Sequence, residues 1–269
     1  MSGEIDLESE YNNRARVPDH PAVMQRWRET AEAARAAHPP LKVAYGRGPR
    51  EVMDLFEAGP GAPVAVFLHG GYWQALDKDW FSGLAPALAA HGVSLALPSY
   101  DLCPDVRLGV ILRQVRAAVD AVRALSGACP VVFGHSAGGH MAACLLSEGR
   151  VSAAVAISGV FDLRPLIPTS LNAALDLDER EASALSPIFW PIPNGSTPGG
   201  TVLDCVVGAE ESLEFLRQSR MMADQWGAHG VETRYDALAG LNHFTVLDPL
   251  FDADSGLMKR VVNLATAAR

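Results

Sequence analysis

The feature that most constrains this chain is an alternation. Unbroken apolar runs at Val64 to Leu68, Val93 to Leu97, Val131 to Phe133, Val151 to Ile157 and Val202 to Val207 are separated by stretches with helical spacing. A strand that is apolar at every position is buried on both faces, which requires helices packed on each side of the sheet. Those helices are expected at Asp79 to Ala90, Arg107 to Leu125, Ala137 to Ser147 and Leu213 to His229, with a last one near Asp254 to Ala267. Strand, helix and strand in succession form right-handed parallel crossovers. The expected architecture is therefore an α/β fold, a mostly parallel central sheet flanked by helices on both faces. A final strand from Glu232 to Ala237 completes the pattern, and residues 1–269 read as one domain.

The flanks are less regular. Tyr11 to Pro21, with Pro18 and Pro21, reads as an irregular arm, followed by a helix from Ala22 to Ala37 that places Val23, Trp27 and Ala31 on one face. Pro39-Pro40 stops it. Leu41 to Tyr45 and Glu51 to Phe56 read as strands of an opening hairpin, joined by Gly46-Arg47-Gly48-Pro49. The longest interruption, Phe161 to Gly200, carries Pro165, Pro168, Pro187, Pro191, Pro193 and Pro198 around a helical piece at Leu171 to Ala184. Ligands of open sheets bind beyond the carboxyl ends of the strands, so this stretch is expected to form a small cap at 161–200. A solvent-side insertion without substrate contact is the alternative.

Charge excludes one class of function. Acidic residues outnumber basic ones 31 to 22, and the basic residues form no stripe that could follow a phosphate backbone, so nucleic acid is not expected as a partner. The acidic start, Met1 to Asp6, lacks a secretory signal pattern, and no apolar stretch is long enough to span a bilayer. Cys103, Cys129, Cys144 and Cys205 have neither metal-ligand spacing nor the density of a disulfide scaffold, which points to reduced thiols in a cytoplasmic protein.

The chemistry centres on Gly134-His135-Ser136-Ala137-Gly138, where an apolar run ends abruptly in a serine between small residues. In Gly-x-Ser-x-Gly a strand enters a helix through a turn tight enough to strain the serine, and only small neighbours leave room for it. Ser136 is read as a nucleophile. A glycine-rich connection that merely packs closely fits the same five residues, so the company they keep matters. Directly after an earlier strand comes His69-Gly70-Gly71-Tyr72-Trp73, whose glycines allow backbone amides to approach a developing oxyanion. The amides of Gly71, Tyr72 and Ala137 are the expected oxyanion donors, and His69 is expected to orient the loop. A serine hydroxyl also needs a base, and His243 lies on the loop after the last strand. The orienting acid should follow the Val202 to Val207 strand, where Glu211 is the first choice and Glu210 the alternative. Either glutamate could instead favour the start of the next helix through its dipole.

In this order, His69-Gly70-Gly71-Tyr72-Trp73, Gly134 to His140 and Asn242-His243-Phe244 resemble the kynurenine formamidase (arylformamidase) branch of the α/β-hydrolases. Tyr11-Asn12-Asn13-Arg14 with Val17-Pro18, and Ser158 to Leu163, are similar too, so the resemblance covers nearly the whole chain. One departure is Glu211, where the family usually shows aspartate. The resemblance implies an α/β-hydrolase fold and hydrolysis of an N-formyl aryl amide through Ser136, His243 and Glu211, with no metal or organic cofactor. The partner implied is a small molecule, with neither nucleic acid nor membrane, and a homodimer stays open. Trp73, Phe161, Phe189 and Trp190 are the expected pocket side chains. A carboxylesterase for small acyl or aryl esters would use the same groups, and a non-catalytic binding protein on the same fold is the reading from a different class.

Overall fold

The computed structural model of the protein describes residues 5–192 and 200–267. Its strands are β1 (Leu41–Ala44), β2 (Val52–Phe56), β3 (Val64–Leu68), β4 (Ser94–Pro98), β5 (Val131–His135), β6 (Ala153–Ile157), β7 (Val202–Gly208) and β8 (Glu232–Leu238). Among the described residues they form one sheet in the order β1-β2-β4-β3-β5-β6-β7-β8. β1 and β2 pair antiparallel, as does β2 with β4, whereas every pairing from β4 through β8 is parallel. The apolar runs from β3 to β7 thus occupy the doubly covered centre, and β8, with Glu232, Arg234 and Ala237 exposed, forms an edge.

The helices are α1 (Leu7–Tyr11), α2 (Asn13–Arg16), α3 (His20–Ala37), α4 (Ala85–Ala89), α5 (Leu108–Ser126), α6 (Ala137–Ser147), α7 (Asn172–Leu175), α8 (Glu179–Ala184), α9 (Leu213–Gly227) and α10 (Gly256–Ala267). Side chains on β3 alternate between two cores. Val66 and Leu68 join the core built with α5, α6 and α9, while Ala65 and Phe67 join the one built with α3 and α10. In α5, Leu108, Ile111, Leu112, Val115, Val119 and Val122 recur at helical spacing and are buried; Gly127, at φ 70, ends the helix in the left-handed conformation.

Two expectations need correction. The stretch from Tyr11 to Pro21 is not irregular: α2 and the start of α3 fall within it. The isolated turns are held by side-chain caps, Asp6 accepting from the Ser9 amide and Asn12 from the Ala15 amide, and Pro21 lies in the first turn of α3, where its missing N–H costs nothing. The helix expected at Asp79 to Ala90 is a 3-10 segment, Lys78–Leu84, continued by the short α4. The excursion between β6 and β7 carries α7 and α8, and the part of it at 193–199 lies outside the described residues.

Parallel register brings the functional loops together. Leu68 pairs with Gly134, His135 with Ile157, and Gly208 with Leu238. The carboxyl ends of β3, β5, β6, β7 and β8 therefore emerge side by side, each followed within a few residues by a group with chemical potential: Gly71, Ser136, Ser158, Glu211 and His243.

Candidate active site

Ser136 lies between β5 and α6 at φ 55 and ψ −115, a conformation in which a side chain is strained. Its own amide donates to the Ile157 carbonyl at 2.8 Å, pinning the turn to β6. The two flanking glycines are required by backbone contacts. A Cβ on Gly134 would strike the Gly138 carbonyl, and one on Gly138 would strike the Leu68 carbonyl. The consequence is that the first turn of α6 packs directly on β3 and β5, with the Ala137 amide at the open N-terminal end of the helix.

The loop after β3 is wound into left-handed backbone: Gly71, Tyr72, Trp73 and Leu76 have φ of 102, 49, 57 and 73. A Cβ on Gly71 would run into the Ala75 carbonyl, so glycine is needed there. The Gly71 carbonyl accepts from the amides of Gln74 and Ala75, which closes the turn. Among the described residues, the amides of Gly71, Tyr72 and Ala137 make no backbone hydrogen bond, which leaves them available as donors. His69 braces the loop from beneath. Its ring stacks on Tyr100 at 4.3 Å and on Phe81 at 6.1 Å, its Nδ1 lies 2.8 Å from the Gly70 carbonyl, and burial pushes its pKa down to about 4.

His243 and Glu211 meet directly. The imidazole Nδ1 donates to Glu211 Oε2 at 2.6 Å, with both side chains buried. The other carboxylate oxygen, Oε1, accepts from Ser158 Oγ at 2.5 Å and from the Gly208 amide at 2.7 Å, so the glutamate is held on both sides. Ser158 takes this position through another left-handed backbone, φ 51, after β6. Glu210, by contrast, is exposed. The histidine is fixed from behind: His135 Nε2 donates to the His243 carbonyl at 2.8 Å, and Phe215 packs on the ring at 4.5 Å. With Nδ1 committed to Glu211, the Nε2 of a neutral His243 ring is the acceptor. Ser136 and His243 face the same cavity, although no direct hydrogen bond joins them; such contacts commonly tighten only around substrate.

The cavity has a volume of about 350 Å³. Its floor comprises Ser136, His135, His243, Gly71 and Tyr72, and its apolar flank Met24, Trp27, Leu76 and Phe244. The excursion after β6 contributes Thr169, Ser170 and Leu171, and the N-terminal arm contributes Glu8 and Tyr11 to Arg14.

None of the four side chains expected to line the pocket does so. Trp73 is fully buried and packs edge-on against His140 at 5.0 Å, because its left-handed backbone turns it into the core beneath the loop. Phe161 is likewise buried in the core. Phe189 is half exposed under the Arg164 guanidinium, and Trp190 donates its indole N–H to the Ala184 carbonyl. What sequence reading missed is the arm. Tyr11-Asn12-Asn13-Arg14 enters the sequence reading only through the family resemblance, and nothing local says that it folds across the carboxyl edge of the sheet.

That crossing is built from long-range polar contacts. Tyr11 Oη donates to Glu214 Oε2 at 2.7 Å and accepts from Gln218 Nε2 at 2.9 Å. Tyr72 Oη donates to the Tyr11 carbonyl at 2.7 Å and accepts from Asn13 Nδ2 at 3.2 Å, joining the arm to the glycine loop. Among the described residues there is no cluster of histidine, cysteine or acidic side chains able to hold a metal ion, and no helix long and apolar enough to cross a membrane.

Comparison with known proteins places the fold in a family. A family model described as the alpha/beta hydrolase family matches residues 65–265. The chain is 29% identical to a kynurenine formamidase from Salmo salar over 257 residues, covering 88% of this chain and 86% of that protein. A kynurenine formamidase from Danio rerio is 27% identical over 239 residues, covering 83% of this chain and 81% of the other. Among solved structures, a candidate thioesterase from Silicibacter sp. TM1040 superposes with a TM-score of 0.85 at 32% identity, covering 98% of this chain and all, 100%, of that one. A strained serine between two obligatory glycines, parallel strand ends and similarity along most of the chain lead to one assignment: this protein belongs to the alpha/beta hydrolase family, as a hydrolase similar to the kynurenine formamidases.

Proposed function

We propose that the protein hydrolyses N-formyl aryl amides of the N-formylkynurenine type, with Ser136 as nucleophile, His243 as general base and acid, and Glu211 as the orienting carboxylate. The observation that carries the reading is the buried 2.6 Å contact between Glu211 and His243 beside the cavity that holds the Ser136 elbow. Similarity to kynurenine formamidases over most of the chain supports the choice of substrate. His243 Nε2 takes the Ser136 proton as Oγ bonds to the formyl carbon, and the carbonyl electron pair moves onto oxygen. The amides of Ala137, Gly71 and Tyr72 would receive that oxyanion. An arylamine anion is a poor leaving group, so His243 returns the proton to nitrogen as the C–N bond breaks, leaving a formyl ester on Ser136. Glu211 stabilises the imidazolium in between. Water, deprotonated by the same ring, then releases formate and restores the serine. The excursion after β6 acts as a small cap through Thr169 to Leu171. The four unpaired cysteines of the chain, Cys103, Cys129, Cys144 and Cys205, suit a protein of the cytoplasm.

A second reading, an esterase or thioesterase, is favoured by the similarity to the Silicibacter protein. The same groups would serve, with a leaving group that needs less help from His243. The two are separated by kcat/KM on N-formylkynurenine against short p-nitrophenyl esters and an aryl thioester. The formamide is expected to be turned over at least as efficiently as the esters; strong ester preference with negligible formamide turnover would overturn the first reading.

A further inference from the structure

Hydrolysis itself does not require two charged side chains on the outer wall of the Ser136 cavity, Arg14 and Glu8. Arg14 is the only lysine or arginine among the lining residues. Its neighbours on the arm differ: Arg16 pairs with Glu10 at 3.6 Å, whereas no carboxylate lies within ion-pair distance of Arg14 among the described residues. The backbone that carries it is anchored, because the residue before it, Asn13, is buried and bonded to Tyr72 in the glycine loop. Glu8 is held by the excursion after β6. Its Oε2 accepts from the Ser170 amide and its Oε1 from Ser170 Oγ, both at 2.7 Å, and these bonds hold its carboxyl below the usual range. Each carboxylate oxygen keeps a second lone pair for another donor.

A wall with one unpaired cation and one fixed carboxylate, facing a cavity flanked by Met24, Trp27 and Phe244, matches a ligand with complementary opposite charges on an aromatic body. We propose that Arg14 and Glu8 form a subsite for the zwitterionic head of an aromatic α-amino acid, Arg14 binding the α-carboxylate and Glu8 the α-ammonium. The aromatic body then has the apolar flank beside it, with the scissile group directed to Ser136. A guanidinium suits a carboxylate because its planar fork can donate two parallel hydrogen bonds. The proposal deepens the formamidase reading, on which it rests for the identity of the reacting group alone.

The test is calorimetric binding to Ser136→Ala protein of N-formylkynurenine, its decarboxylated amine analogue and its deaminated acid analogue. The amino acid is expected to bind about 10–100-fold tighter than the decarboxylated analogue, the scale of one charged hydrogen-bonded contact. Adding Arg14→Gln should bring that ratio close to one, with Arg14→Lys retaining part of it. Adding Glu8→Gln should do the same to the ratio against the deaminated analogue. Ratios unchanged by Arg14→Gln, or no binding of the amino acid at all, would overturn the subsite. Turnover by the wild type separates the two ideas. Arg14-dependent discrimination without formamide turnover leaves the subsite standing and removes the formamidase reading, whereas turnover with Arg14-independent binding does the reverse.

Discussion

The floor and the outer wall of the cavity are built on different principles. On the floor, Ser136, Glu211 and His243 each follow a parallel strand within a few residues, and the register of β5, β6, β7 and β8 brings them together. Their positions are fixed by backbone: the strained turn at Ser136, the left-handed Ser158 that bonds Glu211, and the His135 contact to the His243 carbonyl. The wall is assembled from the arm and the excursion after β6, tied down by side chains such as Tyr11, Glu214, Asn13 and Glu8. The difference separates two kinds of information. On the proposed reading, reaction type belongs to the sheet and is carried by short motifs, while choice of substrate belongs to segments that can change without disturbing it.

The largest expected effect lies on the floor. Glu211→Gln keeps the shape of the side chain and removes the charge that orients His243, so kcat/KM on the preferred substrate should fall by about 10³–10⁴-fold. Glu210→Gln, on the exposed neighbour, should change it by less than about twofold. Comparable losses in both variants would break the assignment of the acid.

A second prediction concerns the histidines that brace the floor. Burial lowers the pKa of His69 and of His140 to about 4 and holds His135 well below its ordinary value. Unfolding returns each ring to about 6.5, so between those values the unfolded chain binds more protons. Stability is therefore intact above about pH 6.5 and falls as pH drops towards 4, by about 2 kcal/mol at pH 5 for each ring near 4. Thermal melts across this range should show the decline, and His140→Gln should flatten it. A melting temperature constant from pH 7 to pH 4.5 would contradict neutral buried rings.

The smallest effect is expected on the wall. Tyr11→Phe removes the bonds to Glu214 and Gln218 that hold the arm on α9. KM should rise about 3–10-fold, the scale of one or two net hydrogen bonds, with kcat changed far less. A loss confined to kcat would mean that the arm takes part in chemistry and that floor and wall are not separable.

The same division explains what could be read from the sequence. The apolar runs forecast the central strands to within a residue or two, because a strand buried on both faces has few alternatives. Gly134 and Gly138 marked the elbow because backbone contact there leaves no room for a Cβ. Glu211 could be preferred over Glu210 from spacing, but only the fold shows one carboxylate bonded to His243 and the other exposed. The pocket side chains were misplaced for a physical reason. Aromatic residues near a site are as readily core as lining, and the left-handed backbone at Trp73 was not visible in its sequence. The arm was opaque because its partners lie about two hundred residues away, as with Tyr11 and Glu214, and no local periodicity encodes such a contact.

The central claim is that the elbow serine, set on the floor beside His243, is the nucleophile. It is tested most directly by treating the folded protein with a fluorophosphonate probe and mapping the modified peptide by mass spectrometry. The account predicts a single modified residue, Ser136, with labelling lost in Ser136→Ala and strongly slowed in His243→Ala. Labelling at another residue, or none in well-folded wild-type protein, would contradict it.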